Sequence, residues 1–132
     1  MAYVNQERKA KIQPVVKEIL KKYGVKGRLG VNNHSTLVLN ITEGDIDFLG
    51  NYAEVNNADR FPANKPNGYI DVNVYHFSRH FTGVALNFIT EVYAAMMTGN
   101  HNNSQIEVDY FDVGWYVDIN IGRWNKPYVF NA

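Results

Sequence analysis

The sequence predicts a single α+β domain over residues 1–132, in which a mainly antiparallel sheet is covered on one face by two helices. Two segments place apolar residues at three- and four-residue spacing, the pattern of an amphipathic helix. Several shorter segments alternate apolar and polar residues, which is typical of strands with one face in the core and the other in water. A chain of 132 residues also fits one domain, because dividing it would leave two very small cores. Together these observations favour a two-layer domain.

The first helix is predicted over residues 5–23. One of its faces carries the apolar side chains of Ile12, Val15, Val16, Ile19, Leu20 and Tyr23. Asn5 at the start of this span and Gly24 after it are suitable cap residues. Pro14 lies inside the span, where it lacks an N–H donor and its ring clashes with the carbonyl of Ala10. We therefore expect the helix either to kink at Pro14 or to begin anew there.

A β-hairpin is predicted next, from two strands at residues 27–31 and 36–42. The residues between them include Asn32 and Asn33, and asparagine tolerates the positive φ that tight turns require. We consider a short third strand at residues 45–49.

A long loop is predicted from Asn51 to Gly68, because this segment has no apolar period and contains Pro62 and Pro66. Loops of more than about 12–15 residues are uncommon in compact domains and are often functional or mobile.

The second half of the chain is predicted to contain a strand, a helix and a second hairpin. Residues 69–75 alternate strictly between apolar and polar side chains, which predicts a strand. Residues 80–98 keep a helical apolar register. The final hairpin joins residues 106–110 to residues 115–121. A turn or bulge is expected at residues 111–114, because the alternation changes parity there.

If both helices cover the same face of the sheet, its other face is exposed to water. That face then carries Asp71, Asn73, Tyr75, Tyr116, Asp118 and Asn120. Exposed aromatic side chains such as Tyr75 and Tyr116, near arginines, are suited to a protein interface or to stacking on nucleic-acid bases.

Composition excludes several function classes. The chain has no cysteine, which rules out disulfides, thiol catalysis and cysteine-ligated zinc. No apolar run approaches the roughly 20 residues of a membrane-spanning helix, and the first residues lack the apolar segment of a secretory signal. We expect a cytoplasmic protein that does not bind a membrane and uses no cofactor.

Charge is unevenly distributed, although the formal net charge is zero. The first 28 residues contain eight basic and two acidic side chains, whereas the rest of the chain contains five basic and eleven acidic ones. A basic face can bind a polyanion such as nucleic acid. It is also typical of a lysine-rich helix that simply faces solvent. Both interpretations stay open at this point.

The segment YHFSRHF at residues 75–81 is the first candidate site. His76 and His80 are four residues apart, a spacing at which two imidazoles of one helix can bind zinc, but here a strand ends and a helix begins between them. Arg79 and the free amides at the start of the helix are also suited to bind an anion. We predict that the segment forms a corner without a metal. Its side chains Tyr75, His76, Arg79 and His80 are predicted to contribute to a recognition surface.

Asn33, His34 and Tyr116 complete the predicted binding residues. A serine follows His34, but neighbours in a strand point to opposite faces and no third orienting residue can be placed, so a catalytic pair is not favoured. Asp118 and the other C-terminal aspartates could act as paired carboxylates in acid–base chemistry. The alternation of Asp118 with apolar residues favours a solvated strand face instead.

Two stretches resemble small accessory proteins encoded by tailed phages and other mobile elements. The first is KYGVKG at residues 22–27 together with NHSTLVL at residues 33–39, and the second is FDVGWYVD at residues 111–118. The resemblance covers most of the chain and transfers no catalytic residue. It implies a protein that acts in the host cytoplasm and binds, redirects or inhibits a host factor, such as a defence factor.

The sequence therefore favours a small binding protein without catalytic activity, whose partner is a host protein. One alternative is a nucleic-acid-binding protein that uses the basic N-terminal helix, although no signature of a known nucleic-acid module is present. A second alternative is a metal- or histidine-dependent hydrolase built around His76 and His80. Binding of a small anionic ligand is a further alternative that stays open. The sequence does not predict the oligomeric state.

Overall fold

The computed structural model describes residues 6–33, 35–97, 115–123 and 125–131. In that part of the chain the helices are α1 (Gln6–Tyr23), α2 (Phe48–Val55) and α3 (Gly83–Met96). The strands are β1 (Val25–Asn32), β2 (Thr36–Gly44), β3 (Ile70–Val72), β4 (Tyr116–Ile121) and β5 (Val129–Phe130). Short 3₁₀ turns occur at Pro62–Asn64 and Phe77–Arg79.

The strands form one mixed sheet in the order β1-β2-β4-β3. β1 pairs with β2, and β3 with β4, in antiparallel orientation, whereas β2 and β4 are parallel. β5 pairs with Glu43 and Gly44 of β2, beyond the end of β4. The predicted α+β class is confirmed, as is the first hairpin. The parallel pair at the centre arises because the chain passes through α3 before it returns in β4, and parallel strands need such a crossover.

The helices cover one face of the sheet. Leu39 of β2 lies between Leu29 of β1 and Ile119 of β4, and all three side chains are buried. The helical layer contributes Ile12, Val16, Leu20, Phe48, Ala85, Phe88, Ile89, Val92 and Met96 to the same core. Because side chains alternate along a strand, the residues between the buried ones form an open face.

α1 continues through Pro14 as one helix of 18 residues. Pro14 and Ala10 both lie on its exposed side, so the Ala10 carbonyl that loses its N–H donor can be hydrated. A new start of the helix at Pro14, one of the two expected outcomes, is wrong.

The segment predicted as a third strand followed by a long loop contains a helix instead. Residues 45–47 form a bend, and Asp47 caps α2 by accepting a hydrogen bond from the Gly50 N–H at 2.9 Å. Phe48, the first residue of α2, is completely buried. With only eight residues, α2 is too short to show a clear apolar period in the sequence.

The strand predicted at residues 69–75 is shorter, because β3 covers three residues. The Tyr75 N–H donates a hydrogen bond to the side-chain oxygen of Asn73 at 3.0 Å, and this local bond turns the chain away from the sheet. Tyr75 is therefore not part of the open face, contrary to prediction. A 3₁₀ turn follows, and α3 begins at Gly83, slightly later than predicted.

The predicted strand at residues 106–110 and the predicted turn at residues 111–114 lie outside the described residues. Within the described ranges, every helix is too short or too polar to cross a membrane.

Candidate anion-binding site

A row of polar side chains crosses the open face of the sheet. Arg28 of β1 pairs with Asn40 of β2. Asn40 pairs in turn with Asn120 of β4, and Asn120 pairs with Asp71 of β3. The Asn120 side-chain amide donates a hydrogen bond to the side-chain oxygen of Asn40 at 3.2 Å. The face therefore changes from basic at the β1 edge to acidic at the β3 edge.

Three cations surround a hollow at the basic end of this face. The hollow has a volume of about 400 Å³ and is lined by Arg28, Asn40, Ile41, Thr42, Gly122, Arg123 and Lys126. Its volume lies within the range of small-ligand pockets. Two arginines and a lysine supply positive charge, while Asn40 and Thr42 supply neutral hydrogen-bonding groups.

The turn after β4 fixes the backbone of two of these cations. The Gly122 N–H donates a hydrogen bond to the Ile41 carbonyl at 2.8 Å. The backbones of Arg123 and Lys126 exchange two hydrogen bonds, of 2.9 and 3.1 Å. Gly122 has a φ of 71°, and a Cβ at this position would lie 2.6 Å from the Tyr128 nitrogen. Only glycine fits at this position, and the hydrogen bonds around it hold the turn in this conformation.

A second hollow lies between α1 and β1. Its volume is about 430 Å³, and its lining comprises Lys9, Gln13, Val16, Lys17 and Leu20 of α1 with Gly27, Arg28 and Leu29 of β1. Arg28 lines both hollows, so a continuous basic surface extends from α1 around β1 to the open face. We call its five cations the basic cluster: Lys9, Lys17, Arg28, Arg123 and Lys126.

No residue of the basic cluster forms a salt bridge with a carboxylate in the described part of the chain, although Lys126 is close enough to Glu43 to lower its pKa. Other cations are paired: Lys22 Nζ lies 2.9 Å from Glu91 Oε1, and Lys26 Nζ lies 3.4 Å from an oxygen of Glu43. None of the five cluster residues forms such an ion pair with a described residue. Because cations without a salt-bridge partner around a concave surface focus a positive field, the cluster is suited to bind an anion.

Two neighbouring carboxylates, Asp71 and Asp118, lie toward the opposite edge of the open face. Partial burial raises the pKa of Asp71, and the negative charge of Asp118 and a hydrogen bond between the two raise it further. The described residues contain no group of three histidines, aspartates or glutamates that could hold a metal ion. Asp118 lies on the open strand face, as its alternation with apolar residues predicts.

Two of the predicted binding residues lie together at one end of the sheet. Asn33 adopts a φ of 54° in the β1–β2 turn, as expected for its position. Tyr116 begins β4 beside this turn, donates its backbone N–H to the Ser35 carbonyl at 2.8 Å, and is 50% exposed. His34 lies outside the described residues.

The other four predicted binding residues lie at the corner between β3 and α3. Tyr75, His76 and Arg79 are exposed. His80 is half-buried, and its ring packs against Tyr52 of α2 with the ring centroids 5.8 Å apart. The corner thus contacts the helical layer. A binding role for its side chains stays a prediction.

Sequence reasoning did not single out the basic cluster. Arg28 was counted among the N-terminal cations, but Arg123 and Lys126 lie near the other end of the chain. The parallel pairing of β2 with β4 brings Arg28 close to Arg123 and Lys126. That pairing is not predicted by any pattern in the sequence. The turn glycine, Gly122, followed at once by a cation is the nearest available signal.

The described lining of the two hollows consists of cations, amides, a hydroxyl, glycines and apolar side chains. Neither hollow is lined by a described carboxylate or histidine, so neither contains the usual general base. Comparison with known protein families, with curated proteins and with solved structures finds no match.

Proposed function

We propose that the protein binds an acidic region of a partner protein through the basic cluster, without catalysing a reaction. The observation that carries this proposal is that two hollows share Arg28, and that their five cations form no ion pair with a described residue. The resemblance to phage accessory proteins supports a host protein as the partner and the host cytoplasm as the compartment.

A protein partner fits the charge distribution better than a nucleic acid. The formal net charge is zero and the isoelectric point is about 6.9, whereas domains that bind nucleic acid are usually strongly basic. On the open face, Asp71 and Asp118 lie beyond the basic end, where they would repel a continuous phosphate backbone. A protein surface, in contrast, can present an acidic patch beside a neutral or basic one.

The proposal is tested with a fluorescent peptide of about ten residues that alternates glutamate and threonine, a length comparable to peptides that bind other domains in extended form. Fluorescence anisotropy measures its affinity for the wild-type protein and for Arg28→Glu. We expect the charge reversal to weaken binding by at least about tenfold, or roughly 1.4 kcal/mol. Added salt should weaken the wild-type complex, because exposed charges are screened.

Lys65→Glu is the matched control. Lys65 is exposed and lines neither basic hollow, so the same change of charge there should alter the affinity by less than about twofold. A peptide with glutamine in place of glutamate should bind weakly to every variant.

Two results would contradict the proposal. One is equal affinity for the glutamate and glutamine peptides, and the other is an Arg28→Glu variant that binds like the wild type. Tighter binding of a short DNA duplex, with a steep dependence on salt, would favour the nucleic-acid alternative.

A further inference from the structure

β1 forms one edge of the sheet along its length of eight residues. In the described part of the chain it pairs only with β2. Alternate backbone N–H and C=O groups of β1 therefore point away from the sheet, and such groups are a template for pairing with another strand.

The hollow between α1 and β1 provides room beside this edge. Arg28 and Leu29 are consecutive, so their side chains point to opposite faces of the sheet, yet both line the hollow together with Gly27. A hollow that touches both faces follows the outer edge of the strand. A Cβ placed on Gly30 would have no described neighbour within 4 Å, so the face of β1 that carries Arg28 is also uncrowded at Gly30.

Charge restricts which strand can enter this space. Lys9 and Lys17 approach it from α1, and Arg28 approaches it from β1. A second copy of this protein would bring the same cations against one another, which is unfavourable. An acidic strand would neutralise these cations. The edge of β1 therefore favours an acidic partner strand over a second copy of the protein.

We propose that the acidic partner segment binds as an extended strand added to the free edge of β1. Backbone hydrogen bonds to β1 hold the segment, and Lys9, Lys17 and Arg28 select acidic side chains on it. β1 has a bulge between Lys26 and Gly27, so the regular part of the edge accommodates about six residues of a partner. This inference rests on the proposed function, and it specifies the conformation of the partner and the edge that binds it.

Backbone methylation of the probe peptide tests strand addition directly. In a strand, alternate amides face the same side, so two versions of the glutamate–threonine peptide are made, N-methylated at odd or at even positions. We expect one version to bind at least about tenfold more weakly and the other to change by less than about threefold, because only one set of amides faces β1. Alternate β1 amides should also exchange with solvent more slowly in the complex.

Two protein variants distinguish the edge from the open face. Lys17→Glu reverses a charge at the edge hollow only, and Arg123→Glu reverses one at the open-face hollow only. Both side chains are exposed, so both variants should fold. We expect Lys17→Glu to weaken peptide binding by about tenfold and Arg123→Glu to weaken it by less than about threefold.

Equal affinities of the two methylated peptides would overturn strand addition. A larger effect of Arg123→Glu than of Lys17→Glu would place the segment on the open face and would overturn it as well. In both cases a loss of affinity in Arg28→Glu would leave the proposed function standing. Failure of the unmethylated peptide to bind would overturn both strand addition and the proposed function. If sedimentation showed that the protein dimerises, the β1 edge would be assigned to a second copy of the chain, and strand addition by a partner would be overturned.

Discussion

Truncating Phe81 and Arg79 separately tests how the corner between β3 and α3 is built. Phe81 is completely buried, and its ring lies 6.5 Å from that of Phe48 and 5.6 Å from that of Tyr52, measured between centroids. Phe81→Ala removes these contacts and leaves a cavity, which typically costs about 3–5 kcal/mol. At roughly 3–5 °C per kcal/mol for a domain of this size, the melting temperature should fall by about 10–25 °C.

Arg79 provides the contrast, because it is exposed and forms no ion pair with a described residue. Arg79→Ala should change the free energy of unfolding by no more than about 0.5 kcal/mol. Thermal and urea unfolding followed by circular dichroism measure both variants. Equal destabilisation by the two changes would show that Arg79 is structural, and the corner would then lose its claim as a recognition surface.

Three further changes test single interactions in the fold. Tyr128→Phe removes the hydroxyl that donates to the Ile46 carbonyl at 2.7 Å, and it should cost about 1–3 kcal/mol in urea unfolding because a buried acceptor loses its partner. Asp71→Asn should stabilise the protein by about 0.2–1 kcal/mol at neutral pH. The raised pKa of Asp71 means that its ionisation lowers stability as pH rises through that pKa, so the gain should vanish near pH ~3, below the ordinary pKa of aspartate. Glu91→Gln should lower the melting temperature at pH ~7 and leave it almost unchanged in acid. The Tyr23 hydroxyl and, to a smaller extent, the Lys22 ammonium donate hydrogen bonds to Glu91 and lower its pKa. The stability that ionised Glu91 contributes is therefore lost as pH falls through that pKa.

The elements that could be predicted from the sequence are those with a long and regular pattern. α1 shows Ile12, Val16 and Leu20 at four-residue spacing, and these are the buried side chains of the helix. The β1–β2 hairpin was predicted from the alternation of its second strand and from the turn residues Asn32 and Asn33, and the structure shows a positive φ at Asn33. Such patterns are informative because they record which side of each element faces the core.

The elements that were missed depend on single contacts. α2 forms in a segment without a clear period because Asp47 caps its first turn and Phe48 anchors it in the core. β3 ends early because the Asn73 side chain takes the N–H of Tyr75, although the alternation of side chains continues. A local hydrogen bond of this kind overrides the pattern around it.

The candidate site was predictable only in part. An excess of cations in the first 28 residues was visible, and Arg28 is one of them. Its convergence with Arg123 depends on the register of a parallel strand pair and on the turn at Gly122. Contacts between distant parts of a chain are set by the tertiary fold, so spacing along the sequence does not reveal them.

The central claim is that an acidic partner binds at the basic cluster, and the most direct test is to map where an acidic peptide binds. The glutamate–threonine peptide is titrated into isotope-labelled protein, and the change in each backbone amide chemical shift is measured. The largest changes are predicted at Lys17, Gly27 and Arg28, which line the hollow between α1 and β1, with small changes at residues 75–80. The largest changes at residues 75–80, with none around Arg28, would contradict the account.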